Sequence, residues 1–209
     1  MKKILLLALC FYLSGCGDSS QKQTYYTQLV EEVAALQGQT IQNDTPKAHT
    51  LDSQANISED ARALVSRAHT SGYELITPKE LSSHLDEYII IATLPRGIYN
   101  LGLIPEARHF EFALSPSLNE DGSDWNWTAD ALGRAQEDFI KLLGENKEAK
   151  ILFYDSGENI FSPVGSAHLG LLWAKHLGYT HLYRLIGGQN AWKDMNLPLS
   201  TQVPHCCQM

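Results

Sequence analysis

The chain has 209 residues, enough for one domain with a full core plus an extension and too few for two complete domains. A hydrophobic content of 44% excludes general disorder. A formal charge of −8 argues against a nucleic-acid partner and an electrostatic hold on an anionic lipid surface, since both need clustered Lys and Arg.

At the N-terminus, Lys2 and Lys3 precede the apolar run ILLLALCFYL, and Leu13-Ser14-Gly15-Cys16 closes it with small residues. A run this short falls below the ~20 residues of a membrane-spanning helix, so it reads as an export signal. The closing tetrapeptide resembles a bacterial lipobox, which places a signal at residues 1–15 and lipid on Cys16. The expected address is the bacterial cell envelope. The lipid on Cys16 would be held in the inner or outer membrane facing the periplasm, or in the outer face of a cytoplasmic membrane. Residues 16–72 then form a polar spacer containing two helix-like islands. In YYTQLVEEVAALQ, Leu29, Val30, Val33 and Leu36 recur at helical spacing, and Ser58 is placed to cap EDARALVSRAH.

The main domain, residues 73–200, opens on a capping box: Thr77 precedes Pro78, with Glu80 three residues after the threonine. Leu81 and Leu85 follow one helical turn apart. EYIIIATL is an unbroken apolar run of strand length, as in strands buried on both faces. RHFEFAL is a short strand candidate, and SPSLNEDGSDWNW reads as a turn-rich insertion. TADALGRAQEDFIKLLGE predicts one amphipathic helix with Leu132, Phe139, Ile140 and Leu143 on its apolar side. KILFY predicts a second buried strand, GSAHLGLLWAKHLG a helix ending at Gly178, and HLYRLI a third strand before GGQNAWKDMNLPL. Strands alternating with helices imply a parallel α/β sheet with helices on both faces. Ligands in such sheets bind beyond the carboxyl ends of the strands, which singles out the loop after Tyr154.

The ordered set LITPKEL, GLIPEA, ILFY, AKHLGYTHLYRLIGGQNAW and LPL resembles the rhodanese domain, the fold of thiosulfate and other sulfurtransferases. The resemblance implies a cysteine thiolate in the loop after the central strand, which accepts a sulfane sulfur as a persulfide within a cradle of backbone N–H groups. Aligning the following helix on His168, Gly170, Trp173 and Ala174 puts Asp155 at one family cysteine position and Val164 near the other; no sulfur lies between them. Where the family reads Asp-x-Arg this chain has Ala92-Thr93-Leu94, and the family histidine before Ile-Pro is Leu103. No catalytic residue is therefore expected, nor any cofactor.

Three functions remain open on the sequence. The first is a pseudoenzyme that binds an unknown protein or small molecule at the loop formed by Asp155, Ser156, Gly157, Glu158, Asn159, Ser162, Gly165, Ser166 and His168. Asp155 and Glu158 would make its mouth negative and favour a cationic or neutral ligand. The bland reading of the same residues is a solvated loop with turn chemistry. The second is a sulfurtransferase using Cys206 or Cys207 of the tail, residues 201–209. With His205 those thiols make an incomplete zinc site, so no metal is expected. The third, a serine hydrolase using Ser156 or Ser166 with His168, lacks a G-x-S-x-G elbow and an acid placed to orient the histidine. Trp125, Trp127, Trp173 and Trp192 read as packing residues.

Overall fold

A computed structural model of the chain describes residues 25–42, 58–99, 101–117, 125–157 and 165–201. Two N-terminal helices, α1 (Tyr25–Gln42) and α2 (Glu59–Ser71), precede a five-stranded sheet. The strands are β1 (Glu74–Ile76), β2 (Ile89–Ala92), β3 (Arg108–His109), β4 (Ile151–Tyr154) and β5 (Leu182–Leu185), in spatial order β1-β5-β4-β2-β3. Every pairing is parallel, so all carboxyl ends lie on one edge. The order changes direction beside β4, and sheets of this kind place ligands at such a point, beyond the carboxyl ends of the strands.

Alternation along the strands builds two cores. Ile91, Ile151, Phe153 and Leu182 join α1, α2, α6 (Gln136–Leu143) and α7 (Ser166–His176) on one face. Ile90, Ala92, Leu152, Tyr154 and Leu185 join Leu81 of α3 (Pro78–Ser83) and Trp192 of α8 (Gly188–Asp194) on the other. Both faces of β4 are covered, and for this reason its sequence shows no polar alternation. The predicted caps form: Ser58 accepts from the Ala61 N–H, and Thr77 from that of Glu80. Leu85 falls in a 3₁₀ turn, Leu85–Glu87, and is only partly buried. A short helix, α4 (Arg96–Tyr99), follows β2. The N-terminal islands are part of the globule, with Leu29, Val30, Val33, Ala61 and Leu64 in the first core.

Two expectations need correction, and one strand, β1, has no counterpart among the predicted elements: it pairs with β5 but is three residues long, too short to register as a period. The RHFEFAL strand stops after His109, and Phe110 and Phe112 turn into the first core. The single helix expected over TADALGRAQEDFIKLLGE is two, α5 (Trp127–Asp130) and α6, separated by Leu132 and Gly133 at positive φ. Leu132 is 54% exposed. Tertiary contacts flank the break. The buried Asp130 carboxylate accepts the Ser117 N–H at 2.8 Å and the Trp173 indole N–H at 2.9 Å. Trp125 and Trp127 pack on Trp173 with ring centroids 4.7 and 5.0 Å away.

Asp130→Ala strands the buried Trp173 indole N–H and releases the Ser117 N–H, and is expected to lower stability by about 1–3 kcal/mol in urea unfolding. A change within about 0.5 kcal/mol would show that these bonds do not hold the insertion.

Candidate functional site

At the carboxyl end of β4 the chain turns sharply through Asp155, Ser156 and Gly157 and lies against the β5–α8 turn. Gly157 and Gly188 are both at positive φ. A Cβ on Gly157 would sit 2.1 Å from the Gly187 carbonyl oxygen, and one on Gly188 2.4 Å from that of Asp155, so the two backbones meet with no room for side chains. Two hydrogen bonds close the contact: Gln189 N–H to the Asp155 carbonyl (2.9 Å) and Asn190 N–H to the Ser156 carbonyl (3.0 Å). The side chains extend this clamp. Gln189 donates to the Gly102 carbonyl at 2.6 Å, and Asn190 donates to the Tyr26 hydroxyl of α1 at 2.9 Å.

The Asp155 carboxylate is held on both oxygens. Oδ1 accepts the Gly157 N–H at 2.9 Å, and Oδ2 meets the Arg184 guanidinium at 3.3 Å. The two side chains are 13% and 4% exposed, so this is a buried ion pair. Arg184 lies on β5, on the same side of the sheet as Leu182. Burial acts to lower its pKa, but Asp155 and Tyr73 outweigh that and hold it raised. Arg184 also donates to the Tyr73 hydroxyl at 3.5 Å, and that hydroxyl lies 3.1 Å from His168 Nδ1. Since the tyrosine oxygen accepts from Arg184, its proton is available to the imidazole, which suits a neutral ring. Burial, reinforced by Arg184 and by Arg67 of α2, pushes His168 down to about 3.

A neutral clasp lies beside the ion pair. Thr93 donates its hydroxyl proton to the Tyr154 carbonyl at 3.0 Å, so the Ser166 hydroxyl, 2.9 Å away, is the donor between the two. This ties the first residue of α7 to the ends of β2 and β4. At the end of β3, His109 donates to the Leu94 carbonyl at 2.6 Å and anchors the segment after β2.

The sequence-predicted residues divide accordingly. Asp155, Ser156 and Gly157 stand at the strand end, and Gly165 and Ser166 are buried at the start of α7. His168 is 6% exposed and faces Tyr73, so it belongs to the network behind the loop. Neither Ser166, paired with Thr93, nor His168 is arranged as part of a serine–histidine couple. Glu158, Asn159, Ser162 and Val164 lie outside the described residues, as do Cys16, Cys206 and Cys207. Asp155 does not make the mouth negative by itself, because Arg184 neutralises it. Sequence reasoning missed Arg184, Tyr73, Thr93 and Asn190. The available signal was one arginine inside HLYRLI, since a charge in a buried strand requires a partner. Among the described residues no group of three or more His, Cys, Asp and Glu could hold a metal ion, and no helix is long and apolar enough to cross a membrane.

Residues 77–195 match the family model described as the rhodanese-like domain. No curated protein matches. Solved structures with a similar fold include a rhodanese-related protein from Thermoplasma volcanium, at 12% identity and TM-score 0.43, covering 62% of this chain and all of that one. The BH2092 protein from Bacillus halodurans is 20% identical with TM-score 0.43, covering 66% of this chain and 84% of its own. A 3-mercaptopyruvate sulfurtransferase from Leishmania major is 21% identical with TM-score 0.42; the match covers 64% of this chain but only 38% of the relative.

Two measurements test the network. Arg184→Met leaves the Asp155 carboxylate buried without its partner and is expected to cost about 3–5 kcal/mol, most of it recovered by adding Asp155→Asn. Additive losses would mean that the two side chains are not coupled. His168 has a folded pKa well below its ordinary 6.5, so below about pH 6.5 the unfolded chain takes up a proton that the folded chain does not. The associated stability is complete above pH 6.5 and falls toward pH 3, by at most about 1.4 kcal/mol per pH unit. The difference in unfolding free energy between the parent and His168→Gln should therefore depend on pH across that window, and a constant difference would contradict the assignment.

Proposed function

The chain belongs to the rhodanese-like domain family, and on that premise we propose that it is a non-catalytic member, tethered to a bacterial envelope and binding a protein or small-molecule partner at the loop after β4. One observation carries the reading. The residue at the strand end, where the family resemblance calls for a cysteine, is an aspartate committed on both oxygens to Arg184 and to the Gly157 N–H.

Sulfur transfer from thiosulfate requires a thiolate to attack the outer sulfur, form an S–S bond and release sulfite, leaving a persulfide anion on the protein. A carboxylate oxygen has no equivalent reaction. The Asp155 charge also occupies the strand-end N–H that would otherwise be available to an incoming anion. The matched residues 77–195 contain no cysteine at all. Around this position the backbone supports of the fold remain: the close Gly157–Gly188 contact, the turn at residues 187–188 and the buried Trp192. A scaffold retained around a neutralised centre suits recognition better than turnover. The proposed tether is lipid on Cys16.

The test is a thiosulfate:cyanide assay on protein lacking residues 1–16, with intact-mass analysis. Thiocyanate should form no faster than in buffer, with no sulfur adduct of about 32 Da. A persulfurated species formed in step with turnover would overturn the proposal, and its loss in a Cys206→Ala/Cys207→Ala variant would assign the chemistry to the tail.

A further inference from the structure

The helix α1 packs along the sheet, donating from Gln37 to the Leu75 carbonyl of β1, and its first turn meets the turn that follows β5. Tyr26 accepts a hydrogen bond from Asn190, whose own N–H is bonded to the Ser156 carbonyl. The Tyr26 ring also flanks Gly187: a Cβ there would lie 3.2 Å from Tyr26 Cδ1. Gly187 follows the carboxyl end of β5, beside the strand end that carries Asp155. The described chain therefore begins at the edge that bears the candidate site. The opposite edge, formed by the segments entering β4 and β5, is more than a strand length away.

We infer that the Asp155 edge is held facing the membrane, and that its partner presents its binding surface in the layer of space next to the lipid. The inference rests on the lipid-anchor reading of Cys16. From Cys16 to Tyr25 the chain advances nine residues, and no conformation of nine residues spans more than about 32 Å. A domain of about 150 residues is roughly 38 Å across. A tether shorter than the domain, attached at one edge, cannot pass around it to turn the opposite edge toward the lipid. Two of the four exposed large apolar side chains among the described residues lie on this edge. Tyr25 is 46% exposed, and Leu101 is 69% exposed next to Gly102, whose carbonyl takes the Gln189 side chain. The acidic chain is poorly suited to the anionic lipid itself, and the exposed apolar Tyr25 and Leu101 suit contact with a protein embedded in that membrane.

The experiment uses full-length lipidated protein carrying Cys206→Ser and Cys207→Ser, reconstituted in phosphatidylethanolamine/phosphatidylglycerol vesicles containing an acceptor-labelled lipid. A donor dye is placed on Arg96→Cys, an exposed position after β2 on the site edge, or on Glu145→Cys, an exposed position before β4 on the far edge. Energy transfer to the lipid should be greater from position 96 by about twofold or more, given edges roughly 38 Å apart. Inserting about 30 Gly/Ser residues after Asp18 should remove the difference, because the linker then exceeds the domain in reach. Equal transfer from both positions, greater transfer from 145, or a difference that survives the insertion overturns the inference. If mass spectrometry finds no diacylglycerol on Cys16 and the protein leaves the vesicles, the anchor reading fails and the orientation fails with it. Lipid present with equal transfer removes the orientation alone.

Discussion

A guanidinium buried in a β-sheet has to be answered by a negative charge. Arg184 is enclosed by α7, β1 and the strand-end turn, and Asp155 supplies the charge. That requirement fixes the carboxylate's position and turns the first residues of the loop toward β5. It also places Tyr73 and His168 in series behind the pair, with the imidazole neutral. In low dielectric, removing either charge costs far more than the pair contributes, so the two positions constrain each other. A thiolate at residue 155 would leave this arginine with a different and softer neighbour. A neutral residue would leave it without a counter-charge. The chemistry at the mouth and the electrostatics of the core are therefore one problem.

Much of the scaffold can be read from residue patterns because its causes are local. The caps at Ser58 and Thr77, the apolar runs of β2 and β4 and the Gly-Gly turn after β5 each act through a few neighbouring residues. The departures come from distant contacts. β1 exists because Glu74, Leu75 and Ile76 find β5 more than 100 residues later. The helix over residues 128–145 breaks at Leu132 and Gly133, both at positive φ, and Asp130 just before the break bonds to a tryptophan 43 residues away.

The site divides along the same line. Asp155, Gly157 and Ser166 could be placed by a rule about strand ends and a family spacing. Arg184 could not, because nothing in HLYRLI says which carboxylate it will meet. The expected negative mouth was an inference from adjacent acids in sequence, and it failed for Asp155 because the compensating charge arrives from another strand. Tyr26 and Asn190, which connect the N-terminal helix to the turn, are 164 residues apart and carried no sequence signal.

The meeting of Gly157 with Gly188 has a consequence for how relatives of this chain diverge. Main-chain contacts close that joint, so its backbone can persist under a different side chain at residue 155 provided the charge of Arg184 is answered in another way. Such a joint separates inheritance of shape from inheritance of reactivity. A chain can exchange the group presented at residue 155 and keep the Gly157–Gly188 joint and the buried Trp192. Likeness of fold is therefore mute about whether a chain built on this frame still performs a given reaction.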